Sequence, residues 1–402
     1  MGESSVREGP EQLKDVNQYD FHEIAPYEGQ DFLDAVQRLH DSSYFTKNLA
    51  ASITRLGFVR ERRLSSRIAK DLPRLLLEVQ NYNEFQKRIF TPYVLEPVEK
   101  YTMDSFSVDG LEALDPTKSY VFISNHRDII LDCALLDFAL IRDARFEPCE
   151  MCFGDNLMVN QFSTDFFKCT GGITVKRSLP SREALENVKI LSAYIQYALH
   201  VKNKCVWIAQ KTGRAKDGRD DTSTAILKML CHDPLREQGM SIPEALKSLN
   251  IVPVAISYQY DPCDISKGRE QVRKLRAQGV YSKPKYADVV DMLNGIRMNK
   301  GQVHISIGSP LGADYESYAD CAREIDRQIH MNYRLYDTNY FSYDYVRSTE
   351  IYKDMYADMK TAAFLKRYNN LSEKVRLNIL NCYANPVRSY KEELAMLIRE
   401  KA

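Results

Sequence analysis

The stretch YVFISNHRDIILD, residues 120–132, passes from a strand-like apolar run through a polar turn into a helix-like apolar segment. Five more strand-like runs follow it, at residues 149–154, 173–177, 205–210, 251–258 and 303–307. Between two of them, from Ser181 onward, apolar residues recur at spacings of three and four, which is typical of one face of a helix. This alternation predicts an α/β fold, with a mostly parallel sheet flanked by helices.

Composition and charge divide the 402-residue chain into three parts. We predict a helical N-terminal region over residues 1–100, an α/β domain over residues 101–340 and a helical C-terminal tail over residues 341–402, broken near its end at Asn385-Pro386. Apolar residues make up 44% of the chain, which is ample for a packed core. The 55 basic residues balance the 55 acidic ones, and this argues against a nucleic-acid binder that needs a general positive field.

Positive charge is concentrated locally, between residues 53 and 74. Basic and apolar side chains alternate there, as in a helix that lies on anionic lipid or a solvated helix that packs on the protein body. We find no apolar run long enough to span a membrane and no apolar core of a signal peptide near Met1. We therefore expect a cytoplasmic protein that contacts the anionic inner face of the membrane peripherally.

Chemically, the opening stretch offers one histidine and two carboxylates, His126, Asp128 and Asp132. A histidine can remove a proton from a hydroxyl at neutral pH when a carboxylate on its other ring nitrogen fixes the tautomer, and acyl transfer to an alcohol requires this step. At about 100° per residue, neither carboxylate would share a helical face with His126, so His126 must lie in the loop. Asp132 is the favoured partner and Asp128 the second choice, because Asp128 can also cap the helix. An ordinary strand-to-helix turn is the alternative interpretation.

Four segments in order resemble the motifs of the glycerolipid acyltransferases, the family that includes lysophosphatidic acid acyltransferases. The first is the pair His126 and Asp132, one residue farther apart than is usual in the family, and the others are residues 171–177, 207–218 and 251–258. Thr212 stands where the family has a glutamate. The resemblance covers roughly Asp104 to Tyr340. Within the family, the chain most resembles a soluble-looking, bacterial-type branch.

Basic residues in two of these segments are predicted to hold an anionic acceptor. Arg177 closes a strand next to Lys176, and Arg214 follows Gly213, where backbone amides can approach an anion. Arginine binds phosphate through a planar fork that is always charged. The alternative is that these residues are solvated loop charges, as most basic residues are.

The resemblance implies an enzyme of phospholipid biosynthesis. Its acyl donor would be a thioester, either acyl-CoA or acyl-carrier protein, and its acceptor the hydroxyl of a lysophospholipid such as 1-acylglycerol-3-phosphate. We expect no cofactor and no metal, since Cys149-x-x-Cys152 lies in a strand-like run without a second pair. Two alternatives stay open: a catalytically weak lipid-binding or membrane-scaffold protein of the same fold, and an acyltransferase for another acceptor such as an amino-acid lipid.

Overall fold

The computed structural model describes residues 19–42, 62–177, 180–277, 281–284, 286–312 and 315–400. Residues 53–61 of the predicted basic segment lie outside the described residues. The remainder of that segment belongs to the helix Arg62–Glu78, which continues through Pro73.

Helices and strands alternate through the middle of the chain, as the sequence predicts. The strands are β1 (Met103–Asp109), β2 (Val121–Ser124), β3 (Glu150–Gly154), β4 (Gly172–Val175), β5 (Val206–Ala209), β6 (Ile251–Tyr258) and β7 (Gly301–Ile307). The α-helices are α1 (Gly29–Asp41), α2 (Arg62–Glu78), α3 (Tyr82–Phe85), α4 (Glu96–Thr102), α5 (Leu131–Asp143), α6 (Gln161–Cys169), α7 (Ser181–His200), α8 (Thr224–Leu230), α9 (His232–Arg236), α10 (Ile242–Ser248), α11 (Asp264–Arg276), α12 (Ala287–Arg297), α13 (Tyr318–Asn332), α14 (Asp337–Arg347), α15 (Thr361–Lys366) and α16 (Glu373–Glu400). A π-helix, Gln86–Leu95, joins α3 to α4.

The seven strands form one sheet in the order β1-β7-β6-β2-β5-β3-β4. Strands β6, β2, β5, β3 and β4 are parallel neighbours, whereas β7 runs antiparallel to β6 and carries β1 parallel to itself at the edge. The prediction of a mostly parallel α/β sheet is therefore confirmed. Because the carboxyl ends of the five parallel strands share one edge, the loops that follow them meet there.

Alternate residues of the central strands enter two separate cores, one on each face of the sheet. Phe122 of β2 and Val254 of β6 pack in the core that includes helix α5, while Val121 and Ile123 pack in the core that includes helix α7. Both faces are thus covered, which explains why these strands are continuously apolar instead of alternating with polar residues.

Two features differ from the sequence prediction. Strand β1 was not expected, because its sequence MDSFSVD is half polar and its side chains are largely accessible at the sheet edge. The expected break at Asn385-Pro386 is wrong, since α16 continues past Pro386 to Glu400. Proline removes one helical N–H and faces the carbonyl four residues earlier, that of Cys382. This carbonyl lies so close to Gly218, in the loop after β5, that any side chain there would clash with it.

A buried ion pair connects the turn after β2 to the loop after β5. The guanidinium of Arg127 binds the Asp220 carboxylate and donates to the Gly218 carbonyl at 3.3 Å, and both charged side chains are almost fully buried. The guanidinium also lies 5.3 Å from the ring centre of Tyr333, at the end of α13. Asn125 bonds to both the N–H and the carbonyl of Ile256 and so joins the same turn to β6.

Removing Arg127 tests how strongly this pair holds the turn. Arg127→Met leaves the Asp220 carboxylate buried without its cation, so we expect the free energy of unfolding in urea to fall by about 3–5 kcal/mol. Arg388→Met, which breaks the exposed pair with Glu392, is the matched control and should change it by less than about 1 kcal/mol. Equal effects of the two substitutions would contradict a structural role for the buried pair.

Candidate active site

A cavity of about 310 Å³ lies at the carboxyl edge of the parallel strands. Each of the loops after β2, β3, β4 and β5 contributes to its wall, through His126, Asn156, Arg177 and Gly213 respectively. In an open α/β sheet this edge is the usual place for a ligand site. Most of the other lining residues lie in β3 and β5, in the turn before α5, or between residues 270 and 288.

His126 lines the cavity, and one of its ring nitrogens is hydrogen-bonded to a carboxylate. Its Nδ1 lies 2.8 Å from Oδ2 of Asp132, and only 8% of the residue is exposed. The Trp207 ring stands edge-on to the imidazole at a centroid distance of 5.9 Å. With a proton on Nδ1 directed at the carboxylate, Nε2 carries the lone pair, so it is the nitrogen that can accept a proton from a bound molecule.

Asp132 is fully buried and accepts hydrogen bonds from four donors. Its Oδ2 accepts, besides the His126 bond, the backbone N–H groups of Arg127 at 2.6 Å and Asp128 at 2.9 Å. Its Oδ1 accepts from the hydroxyl of Tyr258, the last residue of β6, at 2.8 Å. Burial and the carboxylates of Asp132 and Asp128 raise the pKa of Tyr258 well above its ordinary value, so this hydroxyl stays protonated and donates.

The structure brings Asp132, and not Asp128, to the histidine. Asp132 is the second residue of α5, so the six-residue spacing is bridged by the turn between His126 in the loop and the first turn of the helix. Asp128 instead accepts from the N–H groups of Ile130 and Leu131 at 3.0 and 2.9 Å and thereby caps the start of α5. Burial, with a smaller effect of the Asp132 charge, raises the pKa of Asp128.

Of the two basic residues that close β4, the structure brings only Arg177 to the cavity. Arg177 lines the wall against Gly154, so closely that a side chain at Gly154 would occupy the guanidinium position. Among the described residues its guanidinium has no hydrogen bond or ion pair. Lys176 does not line the cavity and forms an ion pair with Glu23. Consecutive residues at the end of a strand point to opposite sides, which separates the two.

Arg214 is buried in the cavity wall, and one of its guanidinium nitrogens has no hydrogen-bond partner among the described residues. Its Nη2 donates to Asp291 at 2.6 Å, with Asp288 farther away at 3.9 Å, while Nη1 is buried without a hydrogen-bond partner. A buried donor that lacks a partner in the free protein is a natural contact for a bound anion. Gly213 precedes it with φ of +80° and also lines the cavity, but Thr212 is exposed and does not.

Sequence reasoning missed the part of the wall that follows β6. Lys216 from the loop after β5 meets a buried glutamate of α11, Glu270, whose other ion-pair partners are Lys274 at 3.2 Å and Lys283 at 3.9 Å. Lys283 also pairs with Asp288. No short motif marks these residues, because they come together only through folding. The Gly154-Asp155-Asn156 turn looks like an ordinary turn in the sequence, yet Gly154 and Asn156 line the cavity.

The cavity wall therefore combines two kinds of side chain around His126. The charged ones are mostly basic, with Arg177, Arg214 and three lysines against two carboxylates. Apolar side chains form the other part of the wall, and they are Ile129, Cys152, Phe153, Leu157, Trp207 and Ala209. Such a cavity can hold a molecule that carries both an anionic group and a hydrocarbon portion.

Among the described residues, no cluster of histidine, cysteine and carboxylate side chains has the arrangement of a metal site. All nine cysteines are free and buried, including Cys149 and Cys152. In the described part of the chain, no helix combines the length and the apolar character needed to cross a bilayer.

Comparison with known families gives one match, between residues 105–257 and the family model described as Acyltransferase. This range runs from β1 to the penultimate residue of β6 and contains every site residue predicted from the sequence. The cavity residues of α11 and α12 lie beyond it. No curated protein matches the chain.

Replacing Tyr258 tests the support that the Asp132 carboxylate receives from β6. Tyr258→Phe removes one donor from a fully buried carboxylate, so we expect the free energy of unfolding in urea to fall by about 1–3 kcal/mol. Tyr345→Phe, at a tyrosine that is 40% exposed, is the control and should have no measurable effect. An unchanged stability of Tyr258→Phe would show that this hydrogen bond does not contribute.

Proposed function

We propose that this chain transfers a fatty acyl group from an acyl thioester to a hydroxyl of a lysophospholipid, because residues 105–257 match the acyltransferase family model. The donor is acyl-CoA or acyl-carrier protein, and the acceptor resembles 1-acylglycerol-3-phosphate. The observation that carries the proposal is the 2.8 Å bond from His126 Nδ1 to Asp132, which leaves Nε2 for a substrate in the cavity.

In the proposed reaction His126 acts as the general base. Nε2 accepts the proton of the acceptor hydroxyl as its oxygen attacks the thioester carbonyl carbon, and Asp132 stabilises the imidazolium that forms. The tetrahedral intermediate then collapses, the carbon–sulfur bond breaks, and the imidazolium returns its proton to the thiolate that leaves. An oxygen ester and a free thiol are the products, and the enzyme regains its starting protonation state without a covalent acyl-enzyme.

The basic side chains of the cavity wall support an anionic acceptor. Arg177 has no partner among the described residues, and Nη1 of Arg214 is buried without one, so a phosphate could accept hydrogen bonds from both. Hydrogen bonds to charged groups contribute about 1.5–3 kcal/mol each. The acidic partner of Arg214, Asp291, fixes the guanidinium in place and lowers the orientational cost of binding.

Two other functions were open from the sequence. The long His–Asp spacing favours a weak or inactive scaffold only if the pair cannot form, and the contact between His126 and Asp132 removes that argument. The missing glutamate at Thr212 stays compatible with a different acceptor. Thr212 does not line the cavity, however, so we propose that the acceptor is chosen by Arg177, Arg214 and their neighbours.

Substitution of the base and of the two carboxylates tests the proposed chemistry. His126→Ala should lower the rate of acyl transfer by about 10²–10⁴-fold, the usual contribution of a general base. Asp132→Asn should lower it more than Asp128→Asn, because an amide cannot hold the same tautomer or stabilise the imidazolium. The assay follows thiol release from acyl-CoA, with circular dichroism as the folding control. His126→Ala activity within a few-fold of the parent would remove His126 from the mechanism.

The neighbouring residues Arg177 and Lys176 provide a matched pair for acceptor binding. Arg177→Ala should raise KM for a phosphorylated acceptor while leaving kcat nearly unchanged, since it removes a contact made by substrate and transition state alike. Lys176→Ala removes one positive charge at the adjacent position but outside the cavity, and KM should stay at the parent value. The phosphate role of Arg177 would be rejected if both variants behaved alike or if an uncharged acceptor were affected equally.

A further inference from the structure

Helix α12 has one face on the active site and an apolar face on the solvent. Asp288 lines the cavity and Asp291 binds Arg214, whereas Val290 and Leu293 are 52% and 38% exposed. Tyr286, just before the helix, is 58% exposed. Positions 286, 290 and 293 are four and three residues apart, so they form one stripe on the helix surface. The helix thus has apolar residues on its solvent side as well as on the side where Met292 and Ile296 pack against the core.

The end of α11 also combines a cavity-lining residue with an exposed apolar one. Arg273, Lys274, Leu275 and Arg276 are all exposed, and Leu275 is 76% exposed, the most of any large apolar residue in the described part of the chain. Lys274 lines the cavity, as do Tyr281 and Lys283 between the two helices. On both helices, exposed apolar side chains therefore lie within a few residues of cavity-lining ones, and Arg273 and Arg276 have no ion pair among the described residues. Contiguous apolar surface bordered by charge marks an interaction site.

The size of the cavity indicates what this surface meets. At about 310 Å³ it lies at the lower limit of ligand pockets, which span about 300–1,000 Å³. It can enclose the reacting groups and the anionic group of the acceptor, but not two substrates that both carry long hydrocarbon chains. Those chains must extend through the mouth, where water would surround them unless another apolar medium covers the opening.

We propose that this mouth surface, formed by Leu275, Tyr286, Val290 and Leu293 with Arg273 and Arg276, docks on an anionic lipid bilayer. The apolar side chains enter the boundary between headgroups and acyl chains, while the arginines contact lipid phosphates. The two carboxylates that line the cavity, Glu270 and Asp288, are already paired with lysines and do not cancel the arginine charge. The inference rests on the proposed function, because only an enzyme with lipid substrates needs its cavity to open toward a membrane. It is independent of the basic segment at residues 53–74.

Sedimentation of the full chain with vesicles tests the surface. The parent should bind phosphatidylcholine vesicles that contain phosphatidylglycerol, with an affinity that falls as salt is raised. The variant Leu275→Ser/Val290→Ser/Leu293→Ser and the variant Arg273→Glu/Arg276→Glu should each bind about tenfold or more weakly. Ile351→Ser/Met355→Ser is the matched control, since these residues are 63% and 54% exposed elsewhere, and it should bind as the parent does.

Two results would overturn the proposal. One is a parent that does not bind the vesicles that contain phosphatidylglycerol. The other is an apolar variant that binds as tightly as the parent, as expected if the basic N-terminal segment were the docking element.

A second assay distinguishes failure of the proposed function from failure of the docking proposal. It measures acyl transfer between a short-chain donor and a short-chain acceptor that are both soluble in water. There the apolar variant should match the parent, because no bilayer is needed. A parent without such turnover would reject the proposed function, while vesicle binding would still decide the docking surface. A variant that loses short-chain turnover along with vesicle binding would show that these residues act inside the site and would reject the docking assignment.

Discussion

The Asp132 carboxylate is the point at which the parts of the site are joined. It is fully buried, so its charge is tolerated only because it accepts hydrogen bonds from two backbone amides, the Tyr258 hydroxyl and the His126 ring. These donors belong to the turn after β2 and to the end of β6. The contacts that stabilise the buried charge therefore also fix the turn, the strand and the imidazole relative to one another.

A second buried group secures the turn from its other side. Arg127 and Asp220 hold the loop after β5, from which Gly213 and Arg214 enter the cavity. That loop also donates from the Ala215 N–H to the His126 carbonyl at 2.8 Å. Close packing of Gly218 on the carbonyl of Cys382 extends the chain of contacts to α16. The C-terminal helix is thus part of what positions the site, although it contributes no cavity residue among those described.

Much of the fold is local in origin and was accessible from the sequence. Six of the seven strands overlap the strand-like runs predicted from the sequence, and the loop position of His126 follows from helix geometry at the six-residue spacing. Strand β1 was not accessible, because its pairing with β7 depends on residues almost 200 positions away. Nor was the continuity of α16 through Pro386, where tertiary packing overrides the local propensity to break. The cavity wall from Glu270 to Asp288 escaped notice because its ion pairs join distant segments.

We propose, as the central point, that an acyl group passes from a thioester to a lysolipid hydroxyl with His126 as the base. The most direct measurement is product analysis after incubating the full chain with radiolabelled acyl-CoA or acyl-carrier protein and a panel of lysolipids. Label should appear in the diacyl product of a phosphorylated acceptor, and more slowly in that of its dephosphorylated counterpart. Absence of labelled product with every donor and acceptor, from protein that still binds lysolipid, would contradict the account and favour a lipid-binding scaffold.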